Sequence, residues 1–164
     1  DGTFKTISSE AEKAEVFAKA FFPPRPDTSS VPRDFAYSDP VPGTYHNFTR
    51  DQIRTQVRRL SPYKAPGPDG IPNVVLMKCI DVILERLYFI FRAVFTLQTY
   101  YGPWKEFLTV VLRKFGRAAY DLAKSFRPIA LLCTIAKLLS ALVAGQLSYI
   151  TEKFALLPPT HFGG

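Results

Sequence analysis

Apolar positions recur with a helical period in four stretches of the chain and run in strand-like blocks in two more. In "SSEAEKAEVFAKAFFP", Val16, Phe17 and Phe21 form a stripe. Ser9 is placed to cap that helix, Glu12 to complete a capping box, and Pro23 to stop it. "TRDQIRTQVRRL" repeats the device with Thr49 and Gln52. It sets Ile53, Val57 and Leu60 on one face and Arg50, Arg54 and Arg58 on the other, as either a solvated face or one that meets phosphates. "NVVLMKCIDVILERLYFIFRAVFTL" spaces its charges between apolar groups as a helix does, and its aromatics Tyr88, Phe89, Phe91 and Phe95 are read as core packing. The last helix is "TIAKLLSALVAGQLSYITEK", with Ile135, Leu138, Leu139, Leu142, Val143, Leu147 and Ile150 in register.

Between these helices "LTVVLR" predicts a strand, Lys114 to Arg117 a turn, and Ser125 to Leu131 a returning strand, with "GPWKEF" as a short turn or helical piece before them. "SPYKAPGPDGIP" holds four prolines and two glycines in twelve residues. That density forbids a helix interior or a central strand and predicts a rigid turn system. Pro23 to Tyr45, rich in Pro, Ser and Asp, predicts a linker or extended arm. The expected fold class is α+β: mostly helical, with one two-stranded antiparallel hairpin.

Charge sharpens this picture. The 164 residues carry a formal +7, but residues 1–49 hold five basic and seven acidic groups, whereas 50–164 hold sixteen and seven. A polyanionic partner should therefore meet the later region. Cys79 and Cys133 sit among aliphatics at a spacing that suits neither a disulfide framework nor a metal site, and are expected to be buried reduced thiols. The polar N-terminal stretch lacks the apolar core of a secretory signal, so an intracellular location, nuclear or cytoplasmic, is expected. The uncharged run Leu138 to Thr151 is fourteen residues, short of a bilayer span, and no membrane partner is expected.

The chemistry on offer is cationic. Lys114 and Arg117 fall near the hairpin turn and Lys124 and Arg127 on its return, where they could grip a phosphate or simply be solvated. Lysine would act as a mobile point charge, whereas Arg127 can give two parallel hydrogen bonds to phosphate oxygens. Pro128 holds the Arg127 backbone extended. Carboxylates are scattered with no adjacent pair, His46 and His161 have no metal-ligand spacing with the cysteines, and no phosphate-binding lysine loop or nucleophile elbow occurs.

The blocks "YKAPGPDGIPNVVLMK", "WKEFLTVVLRKFGRAAYDLAKSFRPIALLCTIAKLLSALVAGQLSYITEK" and "LLPPTHFGG" together resemble the start of the reverse transcriptase domain of fungal non-LTR (LINE-like) retrotransposons. The resemblance covers roughly residues 48–164 and implies two parts: an N-terminal helix and Pro-rich linker over 1–47, and over 48–164 the fingers of an RNA-directed DNA polymerase. Lys114 and Arg127 match the hairpin lysine and the arginine of the family's Arg-Pro-Ile signature, which implies contact with a nucleotide triphosphate. Lys64, Pro66, Gly67, Asp69 and Gly70 match a template-side loop, and Arg117, Lys124 and Lys137 are further basic contacts. Phe115 and Ala118 stand where the family usually has prolines, and Phe126 where it commonly has tyrosine.

The resemblance places the catalytic aspartates of the palm beyond Gly164. The chain is thus expected to bind no cofactor, to be inactive alone, and to bind nucleic acid weakly. The complete enzyme would use Mg2+, an RNA template, a DNA primer and deoxynucleoside triphosphates. The alternative is a nucleic-acid-binding remnant without chemistry, or a functionless translated transposon fragment.

Overall fold

A computed structural model describes residues 6–28 and 48–157. Their elements, in chain order, are helices α1 (Glu10–Phe21), α2 (Arg50–Arg58) and α3 (Asn73–Thr96), a short 3-10 helix (Gly102–Lys105), strand β1 (Phe107–Arg113), a second 3-10 turn (Ala123–Ser125), strand β2 (Phe126–Leu132) and helix α4 (Thr134–Lys153). The strands pair only with each other as an antiparallel hairpin, which makes the fold mostly helical α+β as expected. Most of the proposed linker, and both histidines, lie outside the described residues.

Contacts divide the chain into two compact units. One comprises α1 and the hairpin segment Thr109–Ala130. Here Phe17 stacks on Phe21 at 5.7 Å between ring centres and meets Phe126 edge-on at 4.8 Å. Helix α1 buries no residue fully, and the side chain of Ser9 makes no capping bond, contrary to the expected box. Its surface pairs, Lys13 with Glu10 and Lys19 with Glu15, support the helix locally.

The other unit contains α2, α3, α4 and the Pro-rich loop between α2 and α3. Thr49 Oγ1 accepts from Gln52 N at 3.1 Å and Thr49 N donates to Gln52 Oε1 at 2.8 Å, so the second capping box does form. Ile53 and Val57 of α2, Leu76, Ile80, Leu84, Leu87 and Phe91 of α3, and Leu138, Leu139 and Leu142 of α4 make one buried cluster with Phe48. Phe48 also meets Phe95 edge-on at 5.2 Å. Of the four aromatics assigned to packing, Phe89 is instead 57% exposed. Cys133 is buried as expected, but Cys79 is exposed: its aliphatic sequence neighbours Leu76 and Ile80 turn inward while α3 carries it to the outer side.

By length and composition α4 could cross a membrane, the one such helix among the described residues. Its Leu138, Leu139 and Leu142 are buried against the other helices of this unit, while most of the helix surface stays outside that core.

The arginines of α2 lie on a solvated face, as one of the two readings had it, and two of them also find carboxylates on α3. Arg50 donates from Nε and Nη2 to the two carboxylate oxygens of Glu85 at 2.5 and 2.7 Å, with its guanidinium 4.0 Å from the centre of the Tyr88 ring. Arg54 donates to Asp81 at 2.9 Å. Two of the three cations therefore tie α2 to α3 through carboxylates at the surface, where the pairs stay open to water. The Arg50 fork holds the Glu85 carboxyl below its ordinary value of 4.5, while Glu85 raises that of Arg50.

Because the folded Glu85 value is depressed, its stabilisation is complete above the unfolded value and is lost as pH falls through the folded one. Replacing Glu85 by Gln should destabilise the protein at neutral pH, and the difference from wild type should shrink below about pH 4. Urea titrations across pH check this; curves separated equally at every pH would refute it.

A separate constraint lies at Gly67, where an added β-carbon would overlap the backbone at Cys133 N and Leu132 C. Gly67→Ala must move backbone, and should cost about 3 kcal/mol or more, at the upper end of overpacking. A urea midpoint corresponding to a loss under about 1 kcal/mol would show that this close approach is dispensable.

Candidate nucleic-acid interface

Hairpin register follows from one bond. Lys114 N donates to Ser125 O at 2.9 Å, which sets Arg113 opposite Phe126 and Leu112 opposite Arg127. One face gathers Arg113, Phe126 and Tyr120: the Arg113 guanidinium lies 5.1 Å from the Tyr120 ring centre, and Tyr120 meets Phe126 edge-on at 5.7 Å. The opposite face carries Leu112, Lys114 and Arg127. Lys114 and Arg127 are diagonal neighbours there, about 7–8 Å apart by strand geometry.

Arg127 is exposed, as are Arg117 and Lys124, whereas Lys114 is half-buried. Its ammonium is tethered, donating to Lys124 O at 2.9 Å, and its own carbonyl accepts from the Tyr120 hydroxyl at 2.9 Å. The expected mobile point charge is thus held within the hairpin. Gly116, with φ +76°, lets the tip turn.

In the other unit the Pro-rich loop is held at both ends. Asn73 Nδ2 donates to Ser61 O at 2.8 Å, and the Thr134 hydroxyl lies 2.8 Å from Ile71 O and 3.1 Å from Asn73 Oδ1, donating its one proton between them. Gly70 turns the chain at φ +66°, donates its N–H to Gly67 O at 3.0 Å, and is followed by Ile71 N bonded to Asp69 Oδ1 at 3.2 Å. Gly67 is buried and Pro66 half-buried, so these two build the loop, while Lys64 is exposed. Lys137 on α4 reaches the loop directly, donating from Nζ to Ala65 O at 3.1 Å.

Sequence reasoning passed over Asn73 and Thr134. The usable signal was a hydrogen-bonding residue at the first position of each of two largely apolar helices. Arg113 and Tyr120 were also missed, because ring and guanidinium meet only once the hairpin closes. Among the described residues, no three His, Cys, Asp or Glu side chains gather to hold a metal ion. Exposed guanidinium and ammonium groups on two pinned turns can pair with phosphate oxygens.

No protein-family model matches the chain. It is similar to the RNA-directed DNA polymerase from mobile element jockey of Drosophila melanogaster, 26% identical over 115 residues, 70% of this chain and 12% of that protein. It is also similar to the "Probable RNA-directed DNA polymerase from transposon X-element" of the same organism, 30% identical over 112 residues, 68% of this chain and 12% of the other. A third is the retrovirus-related Pol polyprotein from type-1 retrotransposable element R1 of Bradysia coprophila, 29% identical over 129 residues, 77% and 12%. The chain matches only about an eighth of the length of these relatives. It has family-level homology to reverse-transcriptase-like domains of animal non-LTR retrotransposons.

The Lys137 bond makes a local prediction. Lys137→Met should release Ala65 and speed amide exchange at Gly70 and Ile71 by about tenfold, the equivalent of ~1.4 kcal/mol, with the α4 core amides unchanged. Hydrogen exchange read at residue resolution decides it. Unchanged loop protection would make the contact incidental.

Proposed function

We propose that residues 48–164 are the fingers part of an RNA-directed DNA polymerase domain from a fungal non-LTR retrotransposon, contributing template and nucleotide contacts to a larger enzyme that works in the nucleus or cytoplasm. The fungal assignment rests on the wording of the three motif blocks, whereas homology to the enzyme family supports the reading as a whole. The observation that carries it is the shared hairpin face of Lys114 and Arg127, two cations on a segment pinned from both sides.

Their roles differ chemically. Arg127 presents a planar fork that matches two oxygens of a triphosphate. Lys114 spends one ammonium donor on Lys124 O and keeps two for a phosphate. The exposed Lys64 beside the rigid loop offers a template phosphate its counter-charge. Mg2+ belongs to the complete enzyme; the described residues present no carboxylate cluster that fits it, and phosphoryl chemistry is not assigned to them. Alone, the chain binds RNA or DNA weakly and does not extend a primer.

The test places residues 48–164 in an intact polymerase of the family. Arg127→Lys keeps the charge and loses the fork, and should lower kcat/KM for deoxynucleoside triphosphate tenfold or more, about 1.4 kcal/mol. Lys114→Arg should cost less. Steady-state nucleotide titrations check both, and equal, small effects would favour the nucleic-acid-binding remnant instead.

A further inference from the structure

Two aromatic side chains stand in water beside a lysine. Phe115 at the hairpin tip is 102% exposed and Tyr63 in the Pro-rich loop 88%, the two highest values among the large apolar side chains described. Tyr100, Tyr101 and Phe91, by contrast, all pack against Trp104.

Each exposed ring rides on fixed backbone. Phe115 lies between Lys114, whose N–H and carbonyl are both bonded within the hairpin, and Gly116 in its left-handed turn. Tyr63 lies between Pro62, whose carbonyl accepts from Val74 N at 3.1 Å, and Lys64. A ring on a pinned turn loses little freedom when a flat partner stacks on it, and a lysine one residue away supplies charge for the strand's phosphates. Net charge agrees: the hairpin connection from Lys114 to Ser125 holds three cations and the single acid Asp121.

We infer that Phe115 and Tyr63 are base-stacking residues. Each is a separate site that takes one unpaired base of single-stranded nucleic acid, with Lys114 beside Phe115 and Lys64 beside Tyr63 neutralising a neighbouring phosphate. The inference rests on the polymerase-fragment reading and adds to it a site for bases, where that reading has only phosphates.

The test uses the full 164-residue chain, a short fluorescein-labelled oligouridine, and the same strand with its bases removed. Wild type should prefer the base-bearing strand. Phe115→Ala and Tyr63→Ala should each reduce that preference by roughly fivefold or more while leaving the salt dependence unchanged, because phosphate contacts persist. Phe115→Trp and Tyr63→Phe should retain it. Oligodeoxyuridine should give the same preference, since stacking uses the face of the base; a preference confined to one sugar would overturn the assignment. Equal wild-type affinity for the base-bearing and abasic strands overturns stacking and leaves the polymerase-fragment reading intact. Failure of wild type to bind either strand, even at low salt, overturns both.

Discussion

A side chain cannot occupy position 67, and much of the arrangement around it follows from that. The Gly67 backbone lies directly on the Leu132–Cys133 peptide, closer than any β-carbon permits. Backbone brought so close is held in place by hydrogen bonds to its carbonyls. The partners are drawn from the neighbouring helix starts: Thr134 takes Ile71 O, Asn73 takes Ser61 O, and Lys137 takes Ala65 O. The prolines that exclude regular structure also remove donors that would otherwise need satisfying, so the loop can be rigid with few hydrogen bonds of its own.

Most of the fold was legible because its signals are local. Thr49 and Gln52 formed the box their spacing implies, and α4 runs from Thr134 to Lys153 as its periodicity indicates. The equally local Ser9 box did not form, and the pairings between α2 and α3 needed contacts between distant positions. Arg50 and Glu85 are 35 residues apart and Arg54 and Asp81 are 27, so nothing in the α2 sequence alone shows that its solvated face also finds those carboxylates. Gly67 was legible as a position in a glycine-containing motif, but its reason is a neighbour 65 residues away rather than an unusual φ. Gly70 is the opposite case, since its positive φ is what a turn after Asp69 requires.

Part of the basic charge is already paired at the surface. Arg50 and Arg54 are engaged by carboxylates, and Arg113 lies against Tyr120. Arg117, Lys124 and Arg127 remain exposed on the hairpin segment. A partner there would meet a few placed cations rather than a diffuse field, which gives each one more weight in orientation than in long-range attraction.

Whether that hairpin is preorganised is a matter of magnitudes. The resemblance implies prolines where Phe115 and Ala118 stand, and each proline so replaced would return about 0.4–1 kcal/mol of conformational freedom to the unfolded chain. Against this stand three bonds: Lys114 N to Ser125 O, Lys114 Nζ to Lys124 O, and the Tyr120 hydroxyl to Lys114 O. A typical intramolecular hydrogen bond contributes about 0.5–1.5 kcal/mol net. Three of them, even at the low end because they are near the surface, match the loss of two prolines. The Arg113–Tyr120–Phe126 stack adds area on the opposite face. The hairpin therefore keeps its shape by tethering a lysine that the sequence alone presents as free, and the same tether fixes where that ammonium can meet an anion.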